Sequence, residues 1–260
     1  MTVFLHEMKR NKISLIIWAV AIAFLLGICV IIYPDMSSQM EDINDLFSNM
    51  GDFSAAFGMD KINFGEFIGY FGTESSSVLG LGGAIFAGIV GISALSKEEK
   101  ERTAEFLLTH PLSRTRIVAE KLLSVIAQVV LLNLFVACIS VVSMLIVGER
   151  ADAKAMFLMF LAYLIMHIEI AAVTFGISAF IRAGGLGIGI GLAIILYFLN
   201  LLSNITKDVE FLKYITPFSY TDSPDIISNG SITVKYLVPG LIITLAGIVA
   251  AFIKYPRKDV

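Results

Sequence analysis

SKEEKERTAEFLLTHPLSRTRIVAEK, residues Ser96 to Lys121, is a long charged segment set between two strongly apolar runs. Its first half carries the marks of a short helix. Ser96 followed by Glu99 fits a capping box, and Ala104, Leu107 and Leu108 recur at i, i+3 and i+4 on one face. His110-Pro111 ends it, because a residue before proline is pushed out of the α region. Ser113 then caps a new helix beginning near Thr115. The segment therefore predicts a helix, a sharp corner and a second helix that enters a bilayer.

The flanks explain why a bilayer is expected. In 260 residues, 57% are hydrophobic and 16% charged, and the mean hydropathy is +0.84. This is too apolar for an ordinary soluble domain. A hydrocarbon layer ~30 Å thick needs about 20 apolar residues as a helix. Runs of that length lie at Ile13 to Tyr33, Ser77 to Leu95, Ile117 to Val147, Ala155 to Ile181, Gly185 to Ser203 and Tyr236 to Tyr255. The expected fold is an all-α polytopic membrane protein with six transmembrane helices in a single domain over residues 1–260. The basic start resembles a signal peptide, but its apolar run is too long and lacks a small-residue cleavage pattern, so it reads as a retained helix.

The formal net charge of -3 says little, whereas the distribution of basic residues sets orientation. With both termini in the cytosol, the inner segments hold Lys9, Arg10, Lys12, Lys97, Lys100, Arg102, Arg114, Arg116, Lys121, Arg182, Lys254, Arg257 and Lys258. The outer loops hold Lys61, Arg150, Lys154, Lys207, Lys213 and Lys235. Residues 1–12 read either as an interfacial helix, with Phe4, Leu5 and Met8 on one side, or as a plain basic flank.

The first outer loop, residues 34–76, is longer than a turn needs. Met40, Ile43, Phe47, Met50 and Phe53 recur at near-helical spacing, opposite an acidic side of Asp35, Glu41, Asp42, Asp45 and Asp52, which predicts a surface helix. In the second run, Gly80, Ala84 and Gly88 form one small-residue row and Gly83, Ala87 and Gly91 another; Gly187 and Gly191 repeat the pattern in the fifth. These are packing faces, since no G-x-x-x-x-G-K-[ST] phosphate cradle accompanies them. Cys29 and Cys138 fall within the runs and read as small core residues.

The fourth run carries His167 and Glu169 near its middle, where an ionised group costs at least ~3 kcal/mol. Two residues apart on a helix they point in different directions, so they are no ready-made ligand pair, and no further His or Cys cluster completes a metal site. Glu169 reads either as a hydrogen-bonded carboxyl joining helices or as a lining of a substrate path. The second outer loop, residues 204–235, contains YITPFSYTDSPDII, whose two prolines preclude one continuous helix. It is expected to fold back onto the outer membrane surface.

The pattern formed by Glu98, Thr103, Glu105, Leu107, Leu108, Pro111, Ser113, Arg114 and the later Lys121 resembles the ABC-2 type membrane permeases. So does the whole plan, including Thr216, Pro217, Phe218 and Tyr220 after the fifth run. The resemblance is to single-domain permeases of bacterial drug, peptide and ion exporters. It implies a multi-pass half-transporter in the bacterial cell membrane that pairs with a second permease copy, homologous or identical, and sits on two copies of an ABC ATP-binding subunit. ATP and Mg are then bound by that partner, with no cofactor and no catalytic residue in this chain.

The coupling segment, residues 96–116, would contain a coupling helix from Lys97 to Thr109. Its Phe106, Leu107 and Leu108 would fill an apolar groove of the ATPase, ringed by Glu101, Arg102 and Glu105. The Pro111 corner would pass displacement on to the third span. Gly187 and Gly191 fit a dimer seam carried over from the family, or an intramolecular packing face.

The alternative is an ion-coupled secondary transporter in which Glu169 relays protons and residues 97–109 are a solvated loop. An intramembrane enzyme, with Ser178 and His167 as its isolated polar groups, has no motif behind it. The cargo class suggested by an acidic outer face and apolar interior is an amphipathic or cationic peptide, a drug or a lipid-like compound. Nothing in the sequence points to nucleic acid.

Overall fold

The structure is a computed structural model that describes residues 2–37, 50–59, 61–63, 65–97, 112–181 and 184–257. Six of the described helices are long and apolar enough to cross a membrane. They are α1 (Thr2–Ser37), α3 (Phe67–Ser93), α4 (Arg114–Val147), α5 (Ala153–Ser178), α6 (Leu186–Ile205) and α8 (Val234–Lys254). Short helices α2 (Asp52–Phe57) and α7 (Ser223–Asn229) lie in the two long connections. No strand is present among the described residues.

The helices divide their surfaces as a bilayer requires. On α1, Ala19, Ile22, Ala23, Leu26 and Val30 are buried, whereas Ile13, Ile16, Ile17, Val20 and Phe24 are exposed. Both faces are apolar. Lipid tails are as apolar as leucine, so burial of hydrocarbon does not drive assembly; close packing and hydrogen bonds do.

Glycine supplies the close packing at two crossings. A Cβ on Gly88 of α3 would lie 2.5 Å from the carbonyl oxygen of Gly189 on α6, and one on Gly176 of α5 would lie 2.5 Å from that of Gly247 on α8. The small-residue rows of α3 therefore serve two neighbours, and the first row serves both, with Gly80 against Tyr163 of α5. Gly83 and Gly91 receive His167, Thr174 and the Ala171 backbone of α5, while Gly88 receives α6.

Four features differ from the sequence expectation. Residues 2–12 are not a separate interfacial helix but the first turns of α1, because no breaker interrupts them and their Glu7 is bound to the bundle. The second span starts at Phe67 and not at Ser77. Its polar residues satisfy themselves locally, Thr73 Oγ1 donating to the Gly69 carbonyl and Ser75 Oγ to that of Gly72, so residues that look like loop form helix. A π-helical stretch at Ser76–Leu81 takes up the change in phase. Cys138 is exposed on the membrane face instead of lying in the core, and Cys29 sits beside Glu74 with its Sγ 3.6 Å from Oε2.

The fourth difference is at the second outer loop. Thr216, Pro217, Phe218, Ser219, Tyr220, Thr221 and Ser223 are buried, so this stretch inserts between helices and does not lie on the bundle's surface. Of the surface helix expected in the first connection, Met40, Ile43, Phe47, Glu41, Asp42 and Asp45 lie outside the described residues. Met50 and Phe53 are exposed, Phe53 on α2.

Candidate functional site

Polar side chains gather at two places in this apolar bundle. One is the end that carries both chain termini, where Lys97 and Leu112 flank residues 98–111. There Glu7 of α1 is 3% exposed and Lys121 of α4 is fully buried. The Lys121 ammonium donates to Glu7 Oε1 at 2.9 Å and to the Ala94 carbonyl, at the end of α3, at 2.7 Å. Lys97 donates to the other oxygen, Glu7 Oε2.

One carboxylate thus takes a lysine from each side of residues 98–111. The departing chain at Lys97 and the returning helix α4 are fastened to the same point on α1. Lone buried charges are costly, and a charge that is paired and further hydrogen-bonded is tolerated.

Glu120, beside Lys121 in sequence, fastens α1 a second time. Its Oε2 accepts from the backbone N–H groups of Val3 and Phe4 at 3.0 and 3.2 Å, while its Oε1 accepts from Arg116 Nε at 3.0 Å. The first N–H groups of a helix have no partner inside it, and a carboxylate there satisfies them and complements the helix dipole. Ser113 caps α4 as expected, its Oγ accepting from the Arg116 N–H. Arg114 donates to the Pro256 carbonyl at 3.2 Å and so ties α4 to the end of the last span.

The second gathering is at the opposite end, where the inserted stretch meets the spans. Tyr220 donates to Glu169 Oε2 on α5 at 2.9 Å. Thr216 donates to the Leu196 carbonyl of α6 at 2.7 Å, and Ser223 to the Gly72 carbonyl of α3 at 2.9 Å. Asn200 and Asn204 of α6 donate to the two oxygens of Asp222 at 3.0 and 3.2 Å. Irregular backbone inside a membrane protein survives only where its polar groups are satisfied, and these bonds supply part of that satisfaction.

Burial, opposed by the two asparagine amides, pushes the Asp222 carboxyl up to about 6, and burial together with Glu169 pushes the Tyr220 phenol well above its ordinary range.

Of the residues expected to contact a partner, Glu98, Glu101, Arg102, Thr103, Glu105, Phe106, Leu107, Leu108 and Pro111 lie outside the described residues; Arg114 is placed as above. Glu169 is 5% exposed and its carboxylate faces Gly240 of α8 as well as Tyr220. His167 points elsewhere, with Nε2 donating to the Gly80 carbonyl at 3.1 Å and Nδ1 3.0 Å from the Asn133 amide. Gly187 and Gly191 have open space where a Cβ would go; the glycine between them, Gly189, makes the packing contact.

Glu7 was not singled out from the sequence. Its signal was present: Val3, Glu7, Asn11 and Ser14 continue, at helical spacing, the face that Ala19, Ile22 and Leu26 bury further along.

A bundle of six apolar helices, with its termini at one end and a polar re-entrant stretch at the other, defines a multi-pass membrane protein of the transporter kind. The chain belongs to the ABC-2 family of transporter proteins, whose family model matches residues 1–260. It is a transport component of the membrane and resembles the permease subunits of ABC transporters, which generally pair with ATP-binding subunits. No curated protein matches it.

Proposed function

We propose that this chain is the membrane-spanning permease of an ATP-driven exporter in the bacterial plasma membrane, with both termini in the cytosol. It works as a dimer of identical or homologous permeases on two ATP-binding subunits, which hold the ATP and Mg. Residues 97–109 form the coupling helix. The observation that carries this reading is the joint held by Glu7, reinforced by the family match over the whole chain.

A partner gripping residues 98–111 pulls on Lys97 and on the start of α4. Both are bound to α1 through Glu7, and α4 is bound to the last span through Arg114. Displacement of that segment then moves α1, α3 and α4 together as a rigid body. Gly187 and Gly191, whose faces are open in the single chain, support a dimer seam on α6. The acidic character of residues 35–52 favours a cationic or amphipathic peptide, a drug or a lipid-like cargo.

Phe106→Asp and Leu107→Asp are each expected to abolish transport and release the ATP-binding subunit while the permease still inserts in the membrane. Retained binding and transport in both variants would overturn the reading. Purified chain in liposomes, without an ATPase, provides the complementary measurement. Uptake driven by a pH gradient and lost in Glu169→Gln would favour the ion-coupled alternative.

A further inference from the structure

Away from both polar gatherings, α4 and α5 diverge around an apolar cleft of about 610 Å³. Leu134, Val141 and Leu145 of α4 and Phe157, Leu161 and Leu164 of α5 form its walls. Leu134 is 54% exposed, Leu145 75% and Phe157 66%, so the cleft is open on the bundle's membrane face. Leu134 and Leu145 are eleven residues apart, about 16 Å along a helix. One leaflet of hydrocarbon is roughly 15 Å deep. The cleft has the depth of a single acyl chain.

Its mouth carries charge of both signs. Gly148, with φ at 80°, ends α4, and Asp152 caps α5 by accepting from the Lys154 and Ala155 N–H groups. That tight connection leaves Glu149 and Arg150 adjacent on the rim of the cleft. Neither has an ion pair or a side-chain hydrogen bond among the described residues.

We propose that this cleft binds one aminophospholipid of the leaflet at that end, its acyl chain along Leu134 to Leu145 and its headgroup across Glu149 and Arg150. The arginine pairs with the phosphate and the glutamate with the ammonium. A headgroup such as glycerol phosphate offers the arginine a partner but brings its negative charge to Glu149 with nothing to offset it. A wholly apolar ligand would leave both charges unused. The site is independent of the ATPase and of which way the chain is oriented.

The test uses the full chain in nanodiscs of phosphatidylglycerol. Trp18 is the chain's one tryptophan, so a Trp18→Phe/Phe157→Trp variant places the fluorophore in the cleft. A small mole fraction of phosphatidylethanolamine with brominated acyl chains is then compared with brominated phosphatidylglycerol at the same fraction. The aminophospholipid is expected to associate about fivefold more strongly, as two headgroup charge contacts at a membrane surface allow, and Glu149→Gln/Arg150→Gln is expected to bring the ratio to one.

Equal quenching by both lipids, unchanged in the charge variant, would show ordinary annular lipid only and overturn the proposal. So would absence of quenching by either lipid, as when a second copy or bound cargo fills the cleft. Native mass spectrometry of the unsubstituted protein gives an independent reading, in which preferential retention of phosphatidylethanolamine over phosphatidylglycerol is expected and equal retention counts against the site.

Discussion

At the end that carries the termini, Glu7, Lys97 and Lys121 join helices through charges, and Glu120, paired with Arg116 on its own helix, holds the first N–H groups of α1. At the opposite end, Thr216, Tyr220, Asp222 and Ser223 join the inserted stretch to α3, α5 and α6 mostly through neutral donors. The first arrangement is a small number of strong links between rigid rods. The second spreads many modest links along a chain broken into short helical turns, a 3-10 helix at Pro217–Tyr220 followed by α7. A joint of the first kind transmits a push, because moving one partner without the other leaves a buried charge exposed to low dielectric. One of the second kind opens stepwise, each bond being worth about 1 kcal/mol.

The largest effect should therefore come from Glu7. Glu7→Gln leaves Lys97 and Lys121 facing one another without their shared counter-charge, and should cost ~3–5 kcal/mol, the range for breaking a buried pair. Thermal unfolding of the detergent-solubilised protein measures this. Because the two lysines share one carboxylate, Glu7→Gln combined with Lys121→Met should lose less than the two single changes added together. Additive losses would mean that the joint is no unit, and the contrast between the two ends would weaken.

Tyr220→Phe should act less. It removes one hydrogen bond and leaves the Glu169 carboxylate with one partner fewer, at a cost of about 1–3 kcal/mol. Hydrogen exchange should speed up at residues 216–229 and stay unchanged at residues 2–12. A loss of protection at both ends would show them to be one cooperative body.

A smaller effect is expected from pH. The Asp222 carboxyl is raised to about 6 from 3.8, so the folded protein holds its proton more tightly than the unfolded chain. Its contribution is fully present below 3.8 and is lost as pH rises through about 6. Asp222 is half-buried, so solvent screening reduces the effect. Proteolytic or exchange protection of residues 216–229 should fall between pH 4 and 6, as that raised value requires. Asp222→Asn should flatten the profile. A slope that persists in the asparagine variant would assign it to another group.

Much of the architecture was legible because a membrane span announces itself by length and composition alone. Six apolar runs became six helices, and the two glycine rows of the second run became contacts with two neighbours. The Ser113 cap was readable for a similar reason, since a cap is a local bond between residues three apart. The inserted stretch was not readable. Its aromatic and polar residues suit a membrane surface as well as a buried site, and only the partners at Leu196, Gly72 and Glu169 distinguish the two.

By itself the sequence determined that this protein is a multi-pass helical bundle, because hydrocarbon forces each span to satisfy its backbone within one helix. It also marked the charged segment between the second and third spans. The tertiary structure alone decided what the flanks of that segment, Lys97 and the start of α4, are anchored to. Glu7 and Lys121 are separated by more than a hundred residues of chain. No local rule of spacing selects such a pair: it exists because three helix ends converge on one buried carboxylate.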